Sequence, residues 1–413
     1  MRVKALVLFA MTLALAATSW AAATETVIYS FDGYTGDGFY PYSGLVADAK
    51  GNLYGTTYQG GVNNLGSVFE LTLSGGVWSE TLLYSFAGGT SDGEYPVYST
   101  LVFDKTGHLY GTTQYGGSTC NCGTVYELTK SGSTWKETIL HAFLGSSQKD
   151  GYFPQAGLSF DTTGNLFGTT EYGGLSNVGT VFQLQPTKTS WKYKTIHQFN
   201  NANGGPYYPV GGITQGADGY YYGTTYYGGL AYNAGAMYRM FETRGVWVAQ
   251  TAFYFLEGGD GTNPDSTLTM DSKGNMYGTT YGGGATENCS QGCGTVYKMT
   301  LGSNNTYTQS VIYSLQAASK DGQTPWYGAG VTLDTKGNLY GTTRYGGSSS
   351  NAGIVYELKP VGGGYKETVL HAFTGDPDGY SPLAGVIIVK GKVFGTTYAG
   401  GKQNAGTAFE ITP

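Results

Sequence analysis

Charge is scarce in this 413-residue sequence: Asp, Glu, Lys and Arg together make up 12% of it, against about a quarter in typical soluble domains. The 22 basic and 28 acidic residues leave a net charge of -6, and no basic run interrupts the chain. That excludes the electrostatic footprint of a protein that neutralises phosphates, so neither nucleic acid nor an anionic membrane surface is expected as a partner. Histidine is scarcer still, at four residues. Without a histidine cluster the sequence lacks the ligands of a zinc or copper centre and the parts of a Ser-His-Asp triad, so no metal, cofactor or catalytic residue is assigned. Helical signals are nearly absent. Past the N-terminus no apolar run reaches the roughly 20 residues that a spanning helix needs.

The first residues carry a basic pair, Arg2 and Lys4, then an apolar run from Ala5 to Ala17, then Ala21, Ala22 and Ala23 before Thr24. This is the layout of a cleaved signal peptide over residues 1–23. The first cysteine is Cys120, so lipid attachment at the cleavage site is not expected. The sequence predicts an exported protein, extracellular, periplasmic or at the cell surface, with no transmembrane segment after cleavage.

What the sequence has in excess is glycine, at 69 residues, and tyrosine, at 37. Glycine-rich chains are often disordered, but 40% hydrophobic and 15% aromatic content supply enough surface for a packed core. Gly-Thr-Thr begins at Gly55, Gly111, Gly168, Gly223, Gly278, Gly341 and Gly395, so successive differences are 56, 57, 55, 55, 63 and 54. Seven copies at a near-constant period mark a repeat architecture. Each copy reads as four short strands separated by glycine-rich turns: in the first, SGLVAD, LYGTT, SVFELTL and VWSETLLYSF. Four antiparallel strands repeated seven times predict an all-β, seven-bladed β-propeller. The opening TETVIYSF matches the fourth-strand segment SETLLYSF, whereas the C-terminal GTAFEITP stops after a third strand. The first strand is therefore expected to complete the last blade, making 24–413 one closed domain with no free edge.

The recurring pattern D-G-x-x-P, D-x-x-G-N-L-Y-G-T-T-x-x-G-G and G-T-V-Y-E-L resembles the GloVer tandem repeat of exported bacterial proteins, the choice-of-anchor tandem repeat GloVer-containing proteins. The resemblance covers nearly the whole chain past the leader and implies export and a repeat scaffold, with no activity attached. Members often carry a C-terminal surface anchor. This sequence departs from that pattern by ending at Pro413, directly after a strand.

Chemistry is harder to place. His141, His197 and His371 fall in the fourth-strand slot assigned to Tyr29, Tyr84, Tyr254 and Tyr313 in other copies, which reads as packing. Cys120 with Cys122 and Cys289 with Cys293 form two local pairs in equivalent loops, expected as loop-stapling disulfides in an exported chain. Asp37, Asp92, Asp150, Asp260, Asp321 and Asp378 open the Asp-Gly-x-x-Pro segments, with Gly205 in their place in the fourth copy. They face the same side as the Gly-Gly loops, so six carboxylates can ring a channel mouth; the competing and favoured account is that each caps its own turn. Asp48, Asp104, Asp161, Asp271 and Asp334 read as hairpin-turn residues on the opposite face, and the slot of Glu70, Glu127, Glu357 and Glu410 as a solvated strand face. Trp78, Trp135, Trp191 and Trp247 share one packing slot.

Identical copies build scaffold, so a local function is expected where copies disagree: Trp326 and Tyr327, the tyrosines Tyr207, Tyr208, Tyr226 and Tyr227, and the charged Glu171 and Arg344. Aromatics on a rigid face suit stacking on sugars or gripping a protein. The leading reading is a monomeric, non-catalytic binding or adhesion module for polysaccharide or a cell-envelope partner. The alternatives are a glycan-cleaving hydrolase or lyase using the Asp-Gly carboxylates, and a purely structural envelope protein.

Overall fold

Each Gly-Thr-Thr lies in the second strand of a four-stranded antiparallel blade, and seven such blades form a ring. The computed structural model describes residues 23–413 apart from 35, 133, 230–232, 257, 285–288, 303–305, 318–320 and 327. Residues 1–22 of the predicted signal peptide and Tyr327 thus lie outside the described residues. Blade one runs Val46–Ala47, Leu53–Thr57, Ser67–Ser74 and Val77–Ser85 from the axis outward. The turn between its first two strands forms because Asp48 Oδ1 accepts the backbone N–H groups of Lys50, Gly51 and Asn52, each at 2.9 Å. Asp104, Asp161, Asp271 and Asp334 repeat this cap, as the sequence predicts.

The motif itself has a steric and a polar reason. Gly55 lies opposite Phe69 on the next strand, and a Cβ on it would sit 2.6 Å from that ring. In the fourth blade the same atom on Gly223 would sit 2.4 Å from the Tyr238 hydroxyl. Glycine leaves room for the blade's central aromatic. The first threonine is a latch between blades: the hydroxyls of Thr112, Thr169, Thr224, Thr279, Thr342 and Thr396 donate to backbone carbonyls in the segment leading into the next blade, at 2.8 to 3.5 Å. The hydroxyl of the second donates to the carbonyl two residues on in all seven blades, as Thr57 does to Gln59 O at 2.8 Å, and in five it also lies within hydrogen-bond distance of a third-strand hydroxyl, as of Ser67 Oγ at 2.7 Å.

Closure follows the expected route. Thr24–Ser30 pairs antiparallel with Thr407–Thr412 as the outer strand of blade seven, with Thr26 opposite Glu410 and Val27 opposite Phe409. Seven apolar clusters fill the seven seams between blades. The one at the junction of the termini joins Phe31, Leu53 and Phe69 to Phe394, Ala405 and Ala408. A cluster at that seventh seam means the blades form a ring and not a stack. The tryptophans pack across seams, Trp78 on Phe394 at 5.9 Å and Trp247 on Phe167 at 5.8 Å.

Two expectations need correction. The Glu70 slot is not freely solvated: Tyr54 Oη donates to Glu70 at 2.6 Å, and Glu357, 3% exposed, takes Tyr340 Oη at 2.8 Å. Tyr254 is not equivalent to Tyr84. Tyr84 pairs with Val68, whereas Tyr254 pairs with Ala236, one residue out of step, and Phe253 opposite Met237 holds the slot. Both expected disulfides are present, Cys120–Cys122 and Cys289–Cys293. Among the described residues no helix is long and apolar enough to cross a membrane.

Two substitutions test this account by thermal or denaturant unfolding. Gly55→Ala forces a methyl group into the Phe69 ring and should cost about 1–3 kcal/mol. Thr396→Val removes the latch to Ser43 O at 3.1 Å while keeping the shape, and should cost about 1–2 kcal/mol for the carbonyl left unpaired. Parent-like stability in both would show that neither contact matters.

Candidate functional site

The Asp-Gly-x-x-Pro segment leads from one blade's outer strand to the next blade's inner strand. Its glycine pairs with the first glycine of a Gly-Gly loop, Gly93 with Gly116 and Gly151 with Gly173 among others. Both loops therefore share one face. The aspartates sit at the outer end of the segment, at the seams between outer strands. Asp92, 6% exposed, accepts Gly93 N–H on Oδ1 at 2.7 Å, and Ala87 N–H and Tyr84 Oη on Oδ2 at 2.7 and 2.9 Å. It is a satisfied turn cap, and Asp37, Asp150, Asp321 and Asp378 share its bond to the following glycine. The structure does not bring these carboxylates together at the channel mouth. A fourth-strand position explains the histidines: His141 and His371 meet Asp150 and Asp378 at 2.9 and 3.1 Å where other seams use tyrosine. In the seam where Gly205 stands at the aspartate position, burial pushes the His197 pKa down to about 4.

A third residue completes most seams, from the outer strand of the following blade. Glu80 and Glu137 approach Asp37 and Asp92, and Glu367 approaches Asp321. Tyr193 replaces this glutamate beside Asp150, donating at 2.5 Å, and Gln309 donates to the Asp260 carbonyl at 2.8 Å. Burial first, and the neighbouring aspartate second, push Glu80 and Glu137 up to about 8 and Glu367 to about 7. Burial also raises Asp37 to about 6. For Asp150 burial works upward, but the hydrogen bond and charge of His141 outweigh it and the group is lowered.

Among the described residues, two groups have donors of metal-binding type within 4.8 Å of one another: Glu25, His371 and Asp378, and Asp104, His108 and Glu127. Asp378, Asp104 and Glu127 already take donors of the protein, whereas Glu25 Oε1 is buried without one. Asp378 accepts Gly379 N–H at 2.7 Å and Thr374 N–H at 2.9 Å, and Glu127 accepts Tyr110 Oη at 2.7 Å.

The axial part of the same face is aromatic. Where the residue before a blade's proline is aromatic, it meets a ring from the two residues after the preceding blade's Gly-Thr-Thr: Tyr58 on Tyr95 at 4.8 Å, Tyr115 on Phe153 at 4.7 Å, Tyr172 on Tyr208 at 5.0 Å. From Tyr208 the contacts run through Tyr227 and Tyr226 to Tyr281 and Trp326. Trp326 Nε1 then donates to Tyr98 Oη at 2.8 Å, bridging the lead-in segments of blades six and two across the ring. Tyr98 meets Tyr42 at 5.3 Å, and Tyr42 returns to Tyr58 at 5.2 Å. Together with the contacts of Tyr95 on Tyr115 and Phe153 on Tyr172, these rings form an unbroken circuit, and all of them are partly exposed.

The position directly after Gly-Thr-Thr holds Tyr58, Gln114, Glu171, Tyr226, Tyr281, Arg344 and Tyr398 in the seven copies. Arg344 lies 3.9 Å over the Trp326 ring. Glu171 accepts Gln155 Nε2 at 2.6 Å and is raised by burial. Burial raises Tyr98 to about 12 against the easing effects of Trp326 and Arg344. Trp326, Tyr208, Tyr227, Glu171 and Arg344 are thus brought onto one surface. Tyr42, Tyr58, Tyr95, Tyr98, Tyr115 and Tyr281 were not singled out by sequence reasoning, although the two residues after each Gly-Thr-Thr were a usable signal.

The seam glutamates set a pH dependence. Their folded pKa values lie above the ordinary 4.5, so the fold prefers them protonated. Their stabilising contribution is full below about pH 4.5 and is lost as pH rises through 7 to 8. The melting temperature should fall between pH 6 and pH 8.5, and the triple change Glu80→Gln, Glu137→Gln, Glu367→Gln should flatten that fall. An unchanged slope would contradict the assignment.

Among solved structures, a candidate 6-phosphogluconolactonase from Bacteroides uniformis ATCC 8492 is 15% identical, with a TM-score of 0.52 over 83% of this chain and 87% of that one. A protein of unknown function from Dyadobacter fermentans DSM 18053 is 11% identical, with a TM-score of 0.48 over 95% of this chain and 100% of that one. The likeness to the first, at 15% identity, shows the fold alone. No curated protein matches the chain at a significant level. The profile of the Gloeobacter/Verrucomicrobia repeat matches residues 8–159, 81–290 and 285–413, and the chain belongs to that repeat family.

Proposed function

We propose that the protein is an exported, non-catalytic binding module whose aromatic face takes polysaccharide. The observation that supports this is the circuit of partly exposed rings around the Gly-Gly face. Sugar rings present C–H faces to aromatic side chains and hydroxyls to phenol and amide groups. Rings held by a closed scaffold lose little freedom on binding, which favours many shallow contacts along a polymer. Two short-range disulfides favour an oxidising compartment, in line with export.

The cleaving alternative has one observation in its favour, the Glu80–Asp37 and Glu137–Asp92 pairs with raised glutamates. Against it, the aspartates are spent on turn amides, and the pairs lie at outer seams away from the aromatic circuit.

Incubation with a polysaccharide panel, following reducing ends and melting temperature together, separates these readings. We expect a raised melting temperature without new reducing ends, by about 2.7 kcal/mol of added stability at a ligand concentration one hundred times Kd. New reducing ends that Asp92→Asn abolishes would establish the enzyme, and no response to any glycan would leave a protein ligand or a structural role. Trp326→Ala should weaken binding by about 2 kcal/mol as loss of a central aromatic anchor; unchanged affinity would remove Trp326 from the site.

A further inference from the structure

We infer that Arg344 is an anion-binding point on this face, so that the polysaccharide it takes carries a carboxylate or sulfate ester on its sugars; the inference rests on the glycan-binding reading above. The position after Gly-Thr-Thr is tyrosine in four copies, glutamine in one and glutamate in one. Arg344 is therefore its one cation. Its guanidinium is oriented by two rings, 3.9 Å over Trp326 and 4.8 Å from the centre of Tyr345. Trp326 is fixed in turn by its bond to Tyr98.

What this arginine lacks, among the described residues, is an acidic partner. Its Nε is buried without a hydrogen bond, and among the described residues no carboxylate forms an ion pair with it. An arginine stacked on aromatics but without an acid is incomplete, because its planar donor fork matches a carboxylate or sulfate and is weakly hydrated otherwise. Glu171, the acidic member of the same position, bonds Gln155. Although both charges act on Tyr98 across the ring, Glu171 forms no ion pair with Arg344. The net charge of -6 repels polyanions in general, so an acidic glycan that binds must be held locally and not by the overall field.

The test uses the full chain and three probes of matched length in calorimetric titration: polygalacturonate oligosaccharides, a sulfated galactan and a neutral galactan. We expect at least one anionic probe to bind about tenfold or more tightly than the neutral one, the usual scale of a charge-assisted hydrogen bond. Which of the two does so identifies carboxylate or sulfate. Arg344→Gln should erase the preference, read as the ratio of anionic to neutral binding measured on the same variant, and Arg344→Lys should keep part of it. Should Arg344→Gln fail to fold, Arg344→Lys decides, because a lost fork reduces the preference and an irrelevant arginine leaves it intact. Equal binding of anionic and neutral probes, or a preference that survives Arg344→Gln, overturns the anion site and leaves the glycan reading standing. Binding of none of the probes or of any panel glycan overturns both.

Discussion

The pairing of Thr24–Ser30 with Thr407–Thr412 is the contact on which the rest of the molecule depends. Without it the third strand of blade seven ends as an open ladder, the kind of edge that recruits other chains. With it, every blade has two neighbours, and Phe31 completes the seventh interblade cluster. The aromatic circuit inherits that closure. Tyr42 of the first lead-in segment, one of its rings, meets Tyr398 of the last blade at 4.9 Å, a contact that exists only if first and last blades adjoin.

Repetition and function occupy different radii of the same segments. Gly-Thr-Thr is invariant because each residue solves a packing problem inside or between blades: room for a ring, a bond to the next blade, a bond within the blade. The residue that follows points out of that constraint and varies from Tyr58 to Glu171 to Arg344. A rigid ring with one free position per blade yields a surface that is symmetric in backbone and asymmetric in chemistry. This is how a repeat protein presents a single specificity.

Period, strand count, closure and both disulfides were legible in the sequence because each is a local or self-comparing signal. Radius was not. Sequence spacing places Asp92 and Tyr98 in one loop, but only the fold shows Asp92 against the outer strand and Tyr98 against Trp326, 228 residues on. The Tyr254 slot was misread because blade four offers two adjacent aromatics, Phe253 and Tyr254, where other blades have one, and register alone selects between them. The Glu70 slot reads as solvated because other copies place Arg239 and Lys298 at the same position, yet the tyrosine beside it buries it where glutamate stands.

The closed ring is tested most directly by comparing the unfolding of the chain beginning at Thr24 with that of a chain beginning at Phe31, which lacks only the pairing strand. If that strand seals the ring, the shortened chain loses the single cooperative transition of the parent and associates through its exposed edge. A shortened chain that stays monomeric and melts as the parent does would contradict the account.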